Sequence, residues 1–429
     1  MDKVRPQLDV KGFSCIDSAS LQISDMTVII GPQASGKSVL CKLYYFFNEV
    51  ISSLPRTIQE ASDFDDASNR VLEDFGDWFR PSSWGTRAFT LTFTIGDAWI
   101  QISRTRSRSK NTRAKIAFSA SLTKAIGAAF LFLKSPRKGV TKEASSFGFD
   151  WTMYETLRDI IHKPLVGLKG EHHLYIPAGR SFFTSIGKIV TAFEDRSMLD
   201  PVVTRFGRFI TSIRDHQFLE PEEKSPMLEV LEKLIDGEVV NEKGKQFLAT
   251  PDGRSIPFSA LSSGQQELLP LLSSLQYALY YRTHVPHLLY IEEPEAHLFP
   301  SAQTAMVELF SRMIAPVRPN KNQPNNQAPH SIRTILTTHS PYVLAKINNL
   351  IKAGSLAPKL NPEKRRELDR LIPQNSWLSP GKVSAYAIQG RKLVNIVDKD
   401  GLINADYIDD VSAATGIEFD SMLELEMLA

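Results

Sequence analysis

This sequence has almost no net charge and very little cysteine. Lysine and arginine total 50 against 48 aspartate and glutamate residues, so the formal net charge is +2. No global field draws the chain to nucleic acid or a membrane, and any basic surface must be local. Two cysteines, Cys15 and Cys41, are too few for a disulfide scaffold or a cysteine-rich metal site. This composition fits a reducing cytosol.

Long apolar runs are also missing. The longest lies near residues 125–133 and is well short of the ~18–20 residues that a membrane span requires. The start of the chain, MDKVRPQLDV, has no apolar segment of the kind found in secretory signals. We therefore expect a cytoplasmic protein without a membrane span. A length of 429 residues with 42% apolar content predicts two or three folded domains.

Apolar periodicity predicts an alternation of strands and helices, typical of an α/β protein. Hairpins are expected at 88–103 and at 246–258, where Asp252-Gly253 forms the tip. Further strands are expected at 8–10, 21–23, 27–30, 287–291, 332–336, 383–388 and 393–397, and a short buried strand that ends in a turn at 173–180. Helices are expected at 270–281 and 302–314. Residues 51–85 are polar and acidic, which predicts surface helix and loop.

A phosphate-binding loop is the most specific motif. Residues 31–38, GPQASGKS, match G-x-x-x-x-G-K-[ST], and they lie between a predicted strand and a predicted helix. Glycines let successive N–H groups point at phosphate oxygens, and the helix adds its positive end. Lys37 is expected to reach the β- and γ-phosphates, and the Ser38 hydroxyl to bind Mg²⁺. The expected nucleotide contacts are Gly31, Pro32, Gln33, Ala34, Ser35, Gly36, Lys37, Ser38 and Val39.

Two adjacent carboxylates follow the strand 287–291. Glu292 is expected to help hold the metal, and Glu293 to orient or deprotonate the attacking water. Alone, this pair would more often be a solvated acidic turn, but the phosphate loop in the same chain favours the catalytic interpretation.

Two further polar motifs complete a series. Leu261-Ser262-Ser263-Gly264-Gln265 precedes a predicted helix and could bind an anion through hydroxyls and free backbone donors. Alternatively, it is only a capped helix start, with Ser263 and Glu267 in a capping-box relation. His339, after the strand 332–336, could contact a γ-phosphate or the lytic water, although a single histidine there is usually structural.

In this order, GPQASGKS, LSSGQQE, LLYIEEPEAHL and TTHS resemble the Walker A, signature, Walker B and His-switch motifs of ABC-type ATPases. EEPEAHL resembles the branch that contains SMC, Rad50, RecF and OLD-type proteins. Within it, HLYIPAGR resembles ATPase subunits of the PARIS and Septu antiphage defence systems. The resemblance implies ATP and Mg²⁺ as cofactors. It also implies head-to-tail pairing, in a dimer or a higher homo-oligomer, with each ATP between residues 31–38 of one copy and 262–265 of the other.

Two departures from the ABC pattern affect single residues. The family's Q-loop glutamine is replaced by Ala178-Gly179-Arg180, so Arg180 is expected as a substitute γ-phosphate contact. The Walker B acid is Glu292 rather than aspartate, so the metal contact must tolerate a longer side chain.

Other features of this branch are reduced or missing. Only 222 residues separate Ser38 from Leu261, which leaves no room for a long coiled-coil arm. Asp398 and Asp400 mimic the D-x-D of a TOPRIM nuclease, but an acidic turn is the favoured interpretation. The basic run 104–115 could bind DNA or RNA, could be a solvated loop, or could contact an acidic protein.

The expected fold is therefore an α/β, ABC-type ATPase head with a mixed central sheet, an antiparallel β subdomain and a helical subdomain. The expected segments are an N-terminal ATPase lobe (1–120), a helical subdomain or insertion (121–245), a C-terminal ATPase lobe (246–345) and an extension (346–429).

We expect an ATP-hydrolysing sensor and scaffold of an antiphage complex. It would control a separately encoded effector, a TOPRIM-like or HNH nuclease, in response to a phage trigger. The alternative is a RecF- or Rad50-like ATPase that binds DNA in repair.

Overall fold

A computed structural model describes residues 5–105, 113–135, 151–166, 170–184, 200–215, 230, 234–242, 245–281, 286–314, 332–404, 416–423 and 426. Across these residues the fold is α/β, with helices packed on both faces of one large mixed sheet. The predicted fold class is confirmed. Among the residues described, the longest helix has 24 residues, and none is long and apolar enough to cross a membrane.

The strands are β1 Gln7–Phe13, β2 Ile16–Gln22, β3 Met26–Ile30, β4 Phe89–Ile95, β5 Ala98–Arg104, β6 Lys115–Phe118, β7 His172–Ile176, β8 Glu238–Glu242, β9 Lys245–Ala249, β10 Ser255–Pro257, β11 His287–Glu292, β12 Ile332–Thr338, β13 Val383–Gln389 and β14 Lys392–Asn395. The helices are α1 Lys37–Glu60, α2 Phe64–Trp78, α3 Ala120–Lys134, α4 Trp151–His162, α5 Pro201–Asp215, α6 Ser263–Gln276, α7 Pro300–Ile314, α8 Pro341–Leu356 and α9 Pro362–Leu371.

The large sheet has the strand order β6-β5-β4-β1-β2-β14-β13-β3-β12-β11-β7. Its half from β13 to β7 is parallel. The register pairs Thr338 with Ile30 and Glu292 with Thr337, so these strands end at one edge. In a parallel sheet, ligands bind outside the carboxyl ends of the strands. The loops after β3, β7, β11 and β12 therefore meet where such a site is expected.

On the other side of the sheet the strands from β6 to β2 pair antiparallel, while β14 pairs antiparallel with β13 and parallel with β2. Strands β4 and β5 form the hairpin expected at 88–103, and β9 with β10 forms the one expected at 246–258, within a separate sheet of β8, β9 and β10. Alternate residues of β4 are buried, as predicted for a strand with one covered face.

The two faces of the large sheet carry chemically different cores. The face under α1 to α4 is rich in aromatic rings, such as Phe47 stacked on Phe93 with 5.4 Å between ring centroids. The face under α6 to α8 is mainly aliphatic. Strand β3 is wholly buried because Ile29 contributes to the first core while Val28 and Ile30 contribute to the second.

Three segments differ from expectation. Strands β13 and β14, within the segment expected as a C-terminal extension, lie in the middle of the sheet between β3 and β2. Residues 51–85, expected as surface, bury Phe75, Trp78 and Trp84 against the aromatic core. Helix α6 begins at Ser263, not at Pro270, because capping at its start and buried leucines stabilise the first turns.

Candidate functional site

The loop between β3 and α1 encloses its own lysine. Lys37 is 5% exposed, and its Nζ donates to the carbonyls of Gly31 and Pro32, each at 2.9 Å. Burial lowers the pKa of the Lys37 ammonium, while the nearby carboxylates of Glu293 and Glu295 oppose that shift. The loop thus holds a cation at the start of a helix, where phosphate oxygens are favoured.

Gly36 caps α1 in a left-handed conformation, with φ 107°. A Cβ at this position would lie 2.8 Å from Cys15 Sγ and 3.0 Å from Ile16 Cγ1. The glycine is therefore required both by its backbone angle and by close packing against the turn between β1 and β2. Ala34 also has a positive φ, 58°, so the loop carries strained backbone where phosphate contact is expected.

A chain of polar contacts joins the ends of three strands. Glu293 Oε1 lies 2.9 Å from His339 Nε2, and His339 Nδ1 lies 3.5 Å from Lys37 Nζ. Because an ammonium only donates, Nδ1 is the acceptor and Nε2 carries the proton that Glu293 accepts. The side chains of Glu293 and His339 are 38% and 31% exposed, so both can meet a ligand. The structure therefore brings together Lys37, Glu293 and His339, as the motif order predicted.

Glu292 points to the other side of β11. It is 8% exposed, with Oε1 accepting from the Tyr175 hydroxyl at 2.7 Å and Oε2 accepting from the Ala178 N–H at 3.1 Å. Burial and this carboxylate raise the pKa of Tyr175, which stays a neutral donor. A carboxylate accepts more than two hydrogen bonds, so Glu292 retains lone pairs for a cation.

A cavity of about 600 Å³ opens beside the first turn of α1, and Ser38 and Glu292 both line it. Hydroxyl and carboxylate oxygens are the ligand types that Mg²⁺ prefers, so the two residues expected to hold the metal fit that ion. The remaining walls of the cavity come partly from segments that no motif indicated: the end of α2 with the turn after it, and the start of α5. These segments contribute Trp78, Phe79, Arg80, Ser82, Ser83, Asp200 and Val202.

Arg180 occupies a different position from the one expected. Its side chain is fully buried, and Nη1 donates to the carbonyl of Glu292 at 2.6 Å while Nη2 donates to that of Glu293 at 3.1 Å. Its Nε lies 3.5 Å from Glu267 Oε2, a carboxylate that also accepts from the backbone N–H groups of Arg180 and Ser181. The geometry favours a role in holding β7, β11 and α6 together over the expected γ-phosphate contact.

The signature loop, residues 261–265, forms a capping box at the start of α6, but between Ser262 and Gln265 and not between Ser263 and Glu267 as expected. Ser262 Oγ accepts from Gln265 N at 3.4 Å, and Gln265 Oε1 accepts from Ser262 N at 3.2 Å. Glu267, expected to cap with Ser263, instead binds Arg180. Ser263 is the first helical residue and is exposed.

The rest of this loop is packed. Leu261 is buried, and a Cβ at Gly264 would lie 3.0 Å from the His297 carbonyl oxygen. The exposed hydroxyl of Ser263 is thus presented from a loop that is held in place on both sides.

The basic run and the D-x-D motif are described only in part. Arg104 Nη2 donates to the carbonyls of Gly85 and Arg87, and its guanidinium lies over the rings of Trp84 and Phe89. Arg106, Arg108 and Lys110 lie outside the described residues, whereas Arg113 and Lys115 lie within them. Asp398 Oδ1 accepts from the N–H groups of Asp400 and Leu402, which is the geometry of a turn.

The family model described as "AAA domain, putative AbiEii toxin, Type IV TA system" matches residues 26–345. The chain belongs to this AAA family. The matched range contains the phosphate loop, Glu292, Glu293, the signature loop and His339, whereas Asp398 and Asp400 lie outside it. Membership supports nucleotide binding and an ATPase, in agreement with the geometry.

Solved structures with low identity are also similar to this AAA chain. An SMC head bound to the C-terminal winged-helix domain of ScpA shares 12% identity, covers 91% of this chain and 96% of its own, and has a TM-score of 0.41. The SMC head domain from Thermotoga maritima shares 15% identity with coverage of 80% and 92% and a TM-score of 0.31. The Smc head with an extended coiled coil, bound to the C-terminal domain of ScpA from Pyrococcus furiosus, shares 13% identity with coverage of 91% and 96% and a TM-score of 0.38. No curated protein matches the chain.

Proposed function

We propose that this chain binds and hydrolyses ATP as the sensor and scaffold of an antiphage defence complex in the cytoplasm. In this proposal it holds a separately encoded toxic effector, a TOPRIM-like or HNH nuclease, and releases or activates it when a phage protein appears. The observation that carries the ATPase part is the contact chain from Lys37 through His339 to Glu293 at the carboxyl edge of the parallel strands.

The residues at the carboxyl edge of the parallel strands have different roles in the proposed hydrolysis. The loop 31–38 and Lys37 bind the phosphates, and Ser38 and Glu292 would hold Mg²⁺, which would neutralise charge on the phosphate oxygens. Glu293 accepts a proton from the attacking water. The water oxygen then bonds to the γ-phosphorus, and the bond between the γ-phosphorus and the bridging oxygen of the β-phosphate breaks. ADP and inorganic phosphate leave, and His339 is placed to contact the transferred group.

Pairing of two copies is part of the proposal. The exposed hydroxyl of Ser263 and the free N–H groups at the start of α6 suit a γ-phosphate held by a second copy. ATP would then close the pair, and hydrolysis would reopen it.

The defence role is supported by the family description, which names a toxin of a type IV toxin–antitoxin system, and by the sequence resemblance to PARIS and Septu ATPases. The alternative of direct DNA binding through 104–115 loses one candidate contact, since Arg104 already binds carbonyls of its own chain.

Replacing Glu293 by glutamine tests the ATPase part. Loss of the base should lower the hydrolysis rate about 10²- to 10⁴-fold, while ATP binding is retained and ATP-dependent pairing increases. Hydrolysis is measured by phosphate release and pairing by light scattering. Lys37→Ala is the matched control, because it should abolish ATP binding and pairing together. Normal hydrolysis by Glu293→Gln would overturn the assignment of the base.

The effector part is tested by purifying the tagged chain from cells that carry its own locus. A co-purifying nuclease encoded beside it, released on addition of a phage lysate, is the expected result. Purification of the chain alone under ATP-bound conditions would contradict the scaffold role.

A further inference from the structure

Glu295 lies in a tight turn that directs its side chain from β11 to the end of β12. The turn is closed by hydrogen bonds from Ala296 N to Glu293 O, at 3.1 Å, and from Leu298 N to Glu295 O, at 3.0 Å. Glu293 and His297 adopt positive φ values of 42° and 60°, which few non-glycine residues tolerate. The turn is therefore a fixed and strained element beside the candidate catalytic base.

One carboxylate oxygen of Glu295 holds the segment that carries the histidine. Its Oε1 accepts from Thr338 Oγ1 at 2.6 Å and from His339 N at 2.8 Å. Thr338 Oγ1 in turn accepts from Ser340 N at 3.0 Å. Three consecutive residues at the end of β12 are thus tied, directly or through one hydroxyl, to a single oxygen.

The second carboxylate oxygen of Glu295 is buried but, in the part of the chain that the structure describes, makes no hydrogen bond that would stabilise the fold. Oε2 is buried and has no hydrogen-bond partner among the described residues. Enclosing a carboxylate with one oxygen unsatisfied costs stability, so packing alone does not account for an acid at this position. The Glu295 carboxylate instead holds the backbone of His339. The two ring nitrogens of His339 contact Lys37 and Glu293.

We propose that Glu295 is a positioning residue, whose carboxylate fixes the backbone of His339 so that the imidazole bridges the phosphate-loop lysine and the catalytic glutamate. This inference rests on the proposed ATPase function and assigns a role that acts through His339, without contact with the nucleotide. Since misplacement of a catalytic group by about 1 Å can cost ~10²-fold in rate, release of this contact should reduce turnover more than affinity.

The test is a double-mutant cycle between Glu295 and His339. Glu295→Ala should lower kcat by up to about 100-fold with a small change in KM for ATP. Glu295→Gln keeps an acceptor oxygen and should recover most of the rate. If Glu295 acts through His339, the double variant Glu295→Ala/His339→Ala should be no slower than His339→Ala alone.

An additive result overturns the inference. If Glu295→Ala lowers kcat by the same factor in the His339→Ala background as in the wild type, Glu295 has a role independent of His339. Failure of Glu295→Gln to recover the rate also contradicts it. If Glu295→Ala does not fold, Thr338→Val, which removes one donor to the same oxygen, replaces it in the cycle.

A second readout separates this inference from the proposed function. In ¹⁵N-histidine spectra of the wild type, the His339 signal, assigned by its loss in His339→Ala, should show a proton on Nε2. Glu295→Ala should lose that single tautomer, and an unchanged spectrum overturns the inference. A wild type that does not hydrolyse ATP contradicts the proposed function, while the spectra still test Glu295.

Discussion

Two groups of charged side chains lie at the same edge of the sheet and are built in opposite ways. The candidate catalytic cluster, Lys37, Glu293 and His339, leaves about a third of its glutamate and histidine side chains open. The arginine bracket, Arg180 and Glu267, has side chains only 1% and 3% exposed. The open faces of Glu293 and His339 can meet a substrate, whereas the enclosed charges of Arg180 and Glu267 contact only groups of their own chain. Exposure therefore separates the Glu293–His339 pair from the Arg180–Glu267 pair.

The largest stability effect is expected from breaking the bracket. Arg180→Met leaves the Glu267 carboxylate buried without its counter-charge, which should cost about 3–5 kcal/mol of unfolding free energy. Urea unfolding measures this loss. The double variant Arg180→Met/Glu267→Gln removes both charges and should lose less than Arg180→Met alone. A loss below about 1 kcal/mol for Arg180→Met, typical of an exposed ion pair, would contradict the enclosed role.

His173 sharpens the comparison because it is partly buried and contacts the Tyr290 hydroxyl, with no acidic partner in the described part of the chain. Burial, together with Arg333, lowers the pKa of His173 to about 3 from its ordinary 6.5. Below pH 6.5 the unfolded chain takes up a proton that the folded chain refuses, so stability is full above that pH and falls towards pH 3. At pH 5 this loss should be about 2 kcal/mol.

Urea unfolding at pH 7 and pH 5 measures this effect, with His173→Gln as the reference that cannot titrate. The wild type should lose more stability than the variant across this interval. An equal loss would show that His173 is protonated in the folded chain.

The smallest effects compare two adjacent serines of the signature loop. Ser262→Ala removes the helix cap and should cost about 1 kcal/mol of stability. Ser263→Ala should change stability by less than about 0.5 kcal/mol. In the Glu293→Gln background, however, Ser263→Ala should weaken ATP-dependent pairing, measured by light scattering. If instead Ser262→Ala alone weakened pairing at unchanged stability, Ser262 and not Ser263 would be the residue that contacts the second copy.

The motifs were sufficient to indicate that Lys37, Glu293 and His339 lie close together. Glycine spacing, paired glutamates at a strand end and a histidine after the next strand each reflect local chemistry, and parallel strands bring such ends together. Strands β3, β4, β5 and β11 to β14 also lie close to their predicted bounds, whereas β1 and β2 span 7–13 and 16–22, well beyond the predicted 8–10 and 21–23.

Other features depend on contacts between distant segments, which no local pattern records. The motif order predicts Arg180 as a replacement for a phosphate-binding glutamine, yet its burial depends on Glu267, 87 positions later. The role of Glu295 depends on where the end of β12 lies. The cavity walls at Trp78 and Asp200 come from segments without a motif, so sequence spacing could not indicate them.

The placement of β13 beside β3 has a consequence for biosynthesis. The hydroxyls of Thr27 and Ser384 lie 3.1 Å apart, although 357 positions separate them along the chain. A ribosome must therefore translate beyond Gln389 before the strand that leads into Gly31 has neighbours on both edges. An unfinished polypeptide lacks this support, which ties competence for nucleotide to completion of translation through β13.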